Sequence, residues 1–166
     1  MGFPLLAKKR QSRKIVSDRL AQHGLRVVET PALGDCQFIE LPFSAGIPVD
    51  HVAFRAQVTD YMRQLAPLFE GSIEQRFKSY DAYVNHTARQ ESWGDHMTLQ
   101  VAACWMMRPI NVVTDHPDEA HAIQTFEPPG FIHESIWGPP VYIAFVGYNH
   151  YEATEPQPVY VKPELN

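Results

Sequence analysis

Only two cysteines occur in 166 residues, Cys36 and Cys104, and neither belongs to a C-x-x-C pair. That scarcity argues against a disulfide-bonded scaffold and a cysteine zinc site. The eight histidines contain no H-E-x-x-H pairing that would supply another metal centre, so neither metal nor cofactor is expected. Long apolar runs are missing as well. The longest, Val141–Gly147, is far short of the ~20 residues a membrane-spanning helix needs. The apolar stretch Phe3–Ala7 precedes the basic cluster, the reverse of a secretion signal, and Leu6 stands where an N-myristoylation motif has Ser or Thr. The expectation is a cytoplasmic protein, or one delivered into a host cytoplasm by a pathogen, with no membrane partner.

A hydrophobic fraction of 45% and a charged fraction of 20% are ordinary for a globular chain of single-domain size. The net charge of −5 is unevenly spread. Residues 1–30 carry seven basic and two acidic side chains, whereas residues 31–166 carry seven basic and seventeen acidic ones. An acidic body repels phosphate, which argues against nucleic acid and suits a basic protein partner. The cluster Lys8–Lys14 reads as a solvated helix face.

Helical spacing over residues 8–23 buries Ile15, Val16 and Leu20, with Gly24 as the stop. Leu25–Thr30 reads as a strand and Pro31–Gly34 as a loop. A helix begins at Asp35 or Cys36 and is expected to end or kink near Leu41, because Pro42 lacks the donor that the next turn needs. Asp50 caps a helix through Ala66. Ser72 and Gln75 form a capping-box pattern that predicts a helix through about Thr87. A further helix spans Asp95–Met107, with Met97, Val101, Cys104 and Trp105 on one face. Ile110–Thr114, Ala122–Phe126 and Val141–Val146 read as strands. The pattern implies an α+β fold, a mixed sheet flanked by helices. Three segments are expected: a basic helix (1–24) packed on the domain, the body of the domain (25–155) and a C-terminal tail (156–166).

Two residues can carry nucleophilic chemistry. Cys36 lies between a glycine-bearing loop and a helix start, where free amides and the helix dipole favour a thiolate and can hold an oxyanion. Cys104, on an apolar helix face, reads as a small buried hydrophobe. His150 follows the last strand through Gly147-Tyr148-Asn149. If the chain stays extended, Glu152 points to the same side and can orient the imidazole as the third member of a triad.

Gly34-Asp35-Cys36-Gln37-Phe38, Trp93-Gly94-Asp95-His96-Met97-Thr98-Leu99-Gln100 and Asn149-His150-Tyr151-Glu152 resemble, in order, the three motif blocks of ovarian tumour (OTU) family deubiquitinases. The resemblance covers roughly residues 25–155. It implies a papain-like fold and a thiol-dependent hydrolase that cleaves isopeptide bonds after the Gly-Gly terminus of ubiquitin, polyubiquitin or a ubiquitin-like modifier. Cys36 matches the nucleophile, His150 the base and Glu152 the third residue. The backbone amides of Leu33, Gly34 and Cys36 would form the oxyanion hole. Two departures stand out. Leu33 replaces the family's usual Asp three residues before the cysteine, and Glu152 replaces the usual Asn or Asp, adding one methylene.

Trp93 and Gly94 read as packing the start of a core helix, and His96 as solvent-facing or supporting the site from behind. The Pro- and Gly-rich segment Glu127–Pro140 reads as a loop whose Phe131 and Trp137, with Tyr148 and Asn149 beside the base, contact the substrate. Two other readings compete. One is a catalytically impaired OTU-like module that binds ubiquitin, with Leu33 and Glu152 as its lesions. The other is a different acyl-transfer enzyme on the same scaffold, which the Trp-Gly-Asp-His block does not specifically support.

Overall fold

The computed structural model describes residues 3–30 and 33–159, so Pro31, Ala32 and the tail segment 160–166 lie outside the described residues. Five strands, β1 (Leu25–Val28), β2 (Ile110–Val113), β3 (Ile123–Phe126), β4 (Val141–Val146) and β5 (His150–Pro156), form one sheet in the order β1-β5-β4-β2-β3. Only β2 and β4 run parallel, so the sheet is mixed. The fold is α+β, as the sequence implied.

Six α-helices surround this sheet: α1 (Phe3–Ala21), α2 (Cys36–Ala45), α3 (His51–Gln64), α4 (Ala66–Phe69), α5 (Tyr80–Thr87) and α6 (His96–Met106). Strand alternation decides which helix meets which face. Ile110 and Val112 of β2, with Val141 and Ile143 of β4, join Phe38 and Leu41 of α2, Phe54, Val58 and Met62 of α3, and Leu99 of α6 in the main core. The alternate residues Val113, Ala144 and Val146 meet Val16 and Leu20 of α1 in a second, smaller core. The sheet therefore has α1 on one side and the other core helices on the other.

Two local expectations are corrected. α2 does not end near Leu41 but continues through Pro42 to Ala45. Pro42 stands in the last turn and gives up only the bond its amide would have donated to the Phe38 carbonyl. Gly46, with φ of 67°, then closes the helix as the Ile47 amide donates to the Pro42 carbonyl at 2.9 Å. Ser72 does not open a helix but ends a 3₁₀ turn, and α5 begins only at Tyr80. Its cap is Ser79, whose hydroxyl accepts from the Ala82 amide, while Ile73 and Phe77 reach the core individually from irregular backbone. The condition set for His150 and Glu152 is met: His150–Pro156 is a full strand, and residues 151–154 are largely buried, which blurs the alternation that would have marked it.

Candidate active site

Cys36 is the first residue of α2, set there by a network that joins the first two motif blocks. Asp35 is buried, paired with the guanidinium of Arg55, and accepts from the Glu91 amide at 2.9 Å. Arg55 is almost wholly buried on α3. It donates to the Thr87 carbonyl at 2.6 Å and the Ser92 carbonyl at 2.9 Å, and its guanidinium lies 3.8 Å from the centre of the Phe38 ring. Gly34 packs directly on the Glu91 backbone, where any Cβ would collide with the carbonyl. Behind Cys36, Gln37 donates to the Asp95 carbonyl at 3.2 Å and accepts from the Thr98 hydroxyl. Gly94 leaves the room that the Gln37 side chain fills. Asp95 caps α6 in a capping box with Thr98, and the single Tyr83 hydroxyl hydrogen is shared between its two carboxylate oxygens. Trp93 is exposed, which corrects its expected packing role, whereas His96 is solvent-facing and stacks on Phe126.

His150 enters from the β4–β5 hairpin. The turn Gly147–Asn149 carries Tyr148 at a φ of 73°, a left-handed conformation uncommon for a bulky residue. His150 begins β5 and is only 2% exposed. Its Nε2 lies 3.1 Å from the Thr30 carbonyl oxygen and 3.5 Å from Glu152 Oε1, and Nδ1 has no partner among the described residues. A carbonyl can only accept, so Nε2 carries the hydrogen and Nδ1 presents its lone pair. His150 and Glu152 sit opposite Val146 and Ala144, and so share the α1 side of the sheet. There Arg13 of α1 holds Glu152 with both arms of its guanidinium, Nε donating to Oε2 at 3.0 Å and Nη2 to Oε1. Arg13 thus corrects the solvated-face reading of Lys8–Lys14.

The electrostatics of the resting site run against a preformed ion pair. Burial pushes the Cys36 thiol up, although the amides of Tyr151, Gln37 and Cys36 itself pull it down. The expectation that a helix start depresses this thiol is therefore not met, because burial outweighs the amides. The Tyr151 contribution also places the thiol beside the residue that follows His150. Burial pushes His150 down, helped by the positive charges of Lys9 and Arg13 and opposed by the Thr30 carbonyl and Glu152. Thiol and imidazole both rest neutral.

One buried acid had no place in the sequence reading. Glu40, one turn after Cys36, is pushed up to about 7 by burial, with the charge of Glu152 adding to the effect. The Ala153 amide and a poorly aligned Thr30 hydroxyl offset little of this. The signal was visible: a glutamate inside an apolar helix face, Cys36-Gln37-Phe38-Ile39-Glu40-Leu41, four residues from the nucleophile. The Thr30 carbonyl left no such trace, since a backbone acceptor carries no residue-type signature.

The remaining candidates divide. Tyr148, 81% exposed, and Asn149 flank the base at the hairpin turn. Leu33 is exposed at the loop before α2, and its carbonyl accepts from the Cys36 amide at 3.1 Å, so that amide closes a turn in the resting site. The expected oxyanion role of Cys36 N–H therefore requires this turn to open. Phe131 is 77% exposed and Trp137 half-buried, but the structure does not gather them at the thiol. Their loop leads into the start of β4, at the opposite end of the strand from the His150 hairpin. Arg108 ties its last part to the far end of α2, donating to the carbonyls of Pro139 and Ala45. Among the described residues no cluster suited to a metal ion occurs.

Residues 36–152 match the OTU-like cysteine protease family. The chain is similar to OVARIAN TUMOR DOMAIN-containing deubiquitinating enzyme 11 of Arabidopsis thaliana, 29% identical over 109 residues, which are 65% of this chain and 43% of that protein. It thus spans under half the length of that curated relative. Among solved structures it is similar to the OTU domain of OTUD1, with a TM-score of 0.68 at 17% identity, over 90% of this chain and 98% of that one. It is also similar to an ovarian tumour domain in complex with ubiquitin, with a TM-score of 0.61 at 20% identity, over 78% and 69% of the two chains. These likenesses establish the papain-like α+β fold.

Proposed function

Because the chain belongs to the OTU-like cysteine protease family, we propose that it is a thiol-dependent deubiquitinase with Cys36 as nucleophile and His150 as general base. The observation that carries this reading is the state of His150. It is buried, its Nε2 is committed to the Thr30 carbonyl, its Nδ1 has no partner among the described residues, and the Cys36 thiol meets the amide of the next residue, Tyr151. A buried imidazole with one nitrogen unsatisfied is costly for folding alone and suited to taking a proton.

In the proposed reaction the thiol proton passes to Nδ1 as Cys36 Sγ attacks the carbonyl carbon after the Gly-Gly terminus of ubiquitin. Negative charge then develops on the carbonyl oxygen, near the amides of Leu33, Gly34 and, once its turn opens, Cys36. The imidazolium protonates the leaving amine, and a water deprotonated by His150 hydrolyses the thioester. Glu152 stabilises the imidazolium across 3.5 Å. The substrate side of the proposal rests on two supports: a solved OTU domain of the same fold is in complex with ubiquitin, and the acidic body of residues 31–166 suits a basic C-terminal tail. The test is ubiquitin bearing a C-terminal thiol-reactive group. A covalent adduct located on Cys36 by peptide mass supports the reading, and no adduct at any enzyme concentration overturns it.

A further inference from the structure

Glu152 poses a problem that its neighbours solve. It is fully buried, and a carboxylate in that position takes up a proton or swings away unless a cation holds it. It also has one more rotatable bond than Asp or Asn, so it needs more to hold it still. Arg13 supplies both charge and geometry through a planar fork that meets a carboxylate on two oxygens. Arg13 is itself oriented by Glu29, whose carboxylate accepts from Nη1 at 3.0 Å. Its register on α1 is set by Val16 and Leu20, three and seven residues on, which anchor the same helix face to the sheet. The neighbouring Ser12 is buried and accepts from the Gly147 amide at 3.0 Å, so α1 grips both the hairpin turn and the strand that bear the base.

We propose that Arg13 is a positioning residue for the catalytic base: it holds the Glu152 carboxylate on both oxygens and so makes a glutamate fit for the third place. The inference rests on the reading of Cys36 and His150 as the reacting pair. It makes α1 part of the catalytic apparatus, although α1 lies outside the stretch 36–152 that matches the family. The charged groups around His150 are Glu152, Arg13 and Lys9, with Glu40 beside Glu152 and Glu29 beside Arg13.

The experiment is a double-mutant cycle with two readouts, on variants whose melting shows them folded. With a ubiquitin substrate, Arg13→Ala should lower kcat about tenfold or more with KM nearly unchanged, and the same change in a Glu152→Asn background should cost less than about twofold. Equal losses in both backgrounds, or no loss in either, overturn the proposal, because α1 would then support only the fold. The second readout is the titration of the His150 imidazole by nitrogen-15 NMR, which needs no substrate. Arg13→Ala should move it to higher pH by exposing the Glu152 charge, Glu152→Asn should move it lower, and the double variant should return near the starting value. Unmoved titrations refute the proposal. Opposed, cancelling shifts in a protein that fails to react with ubiquitin would leave Arg13 in its place and remove the ubiquitin reading instead. Should Arg13→Ala fail to fold, Arg13→Lys keeps the charge but not the fork. It should lose kcat while leaving the His150 titration in place, and full kcat for this variant refutes the geometric part.

Discussion

Replacing Glu40 by Gln should make the protein more stable in neutral and alkaline solution and change it little in acid. Glu40 loses its proton near pH 4.5 when unperturbed and near 7 in the folded chain, because burial and the charge of Glu152 disfavour its carboxylate. Between those values the folded state binds the extra proton. Stability therefore falls as pH rises through the interval, and the loss is complete above pH 7. At about 1.4 kcal/mol per pH unit, charging Glu40 costs the fold about 3 kcal/mol at most, and roughly 2–3 kcal/mol of that appears between pH 5 and pH 8. Gln has the same shape and cannot ionise, so it escapes the penalty. The assay is urea unfolding of both proteins at pH 5, 6, 7 and 8. The difference in unfolding free energy should be small at pH 5 and grow steadily in favour of Glu40→Gln. A gap that stays constant within about 0.5 kcal/mol across the series would show that Glu40 is already ionised in the folded state.

Cys36→Ala should lower turnover by more than about 10³-fold while ubiquitin binding persists, measured by single-turnover kinetics and by titration. Cys104→Ala should keep its kinetics and lose about 1 kcal/mol of stability, since that thiol packs within α6; inactivation without unfolding would mean the wrong thiol was assigned. Gly94→Ala should destabilise by about 1–3 kcal/mol, because the new methyl displaces the Gln37 side chain from Asp95 and Thr98; an unchanged melting temperature would refute that packing. Alkylation of Cys36 by iodoacetamide should rise with a midpoint above that of an ordinary cysteine, about 8.5, in keeping with a neutral resting thiol; a midpoint well below it would reveal a standing ion pair.

Most elements were legible because each rests on side-chain type and spacing. Asp50 and Asp95 declare helix starts by their own chemistry, and Val141–Val146 declares a buried strand. What stayed hidden depends on partners distant in sequence. Arg13 looks like any residue of a basic cluster until β5 brings Glu152 beneath it. β5 itself is hard to read because it carries ionisable His150 and Glu152 among its buried positions, which blurs the alternation of apolar and polar residues. Ser72–Gln75 was misread because a capping pattern states where a helix can start, and the packing of Ile73 and Phe77 decided otherwise.

The contacts that equip His150 span nearly the whole chain: its carbonyl partner is 120 residues upstream, and Glu152 meets Arg13 across 139. Contacts of such sequence separation form late, after the helices and the local hairpin are in place. On a ribosome, where synthesis proceeds from the N-terminus, Cys36 emerges long before its base exists. The thiol then waits on a chain without His150, with no partner strand for β1 and no Glu152 for Arg13 to hold. On the proposed reading, the site would thus be completed only when β5 pairs with β1, and a chain stopped short of β5 would be inert toward its surroundings.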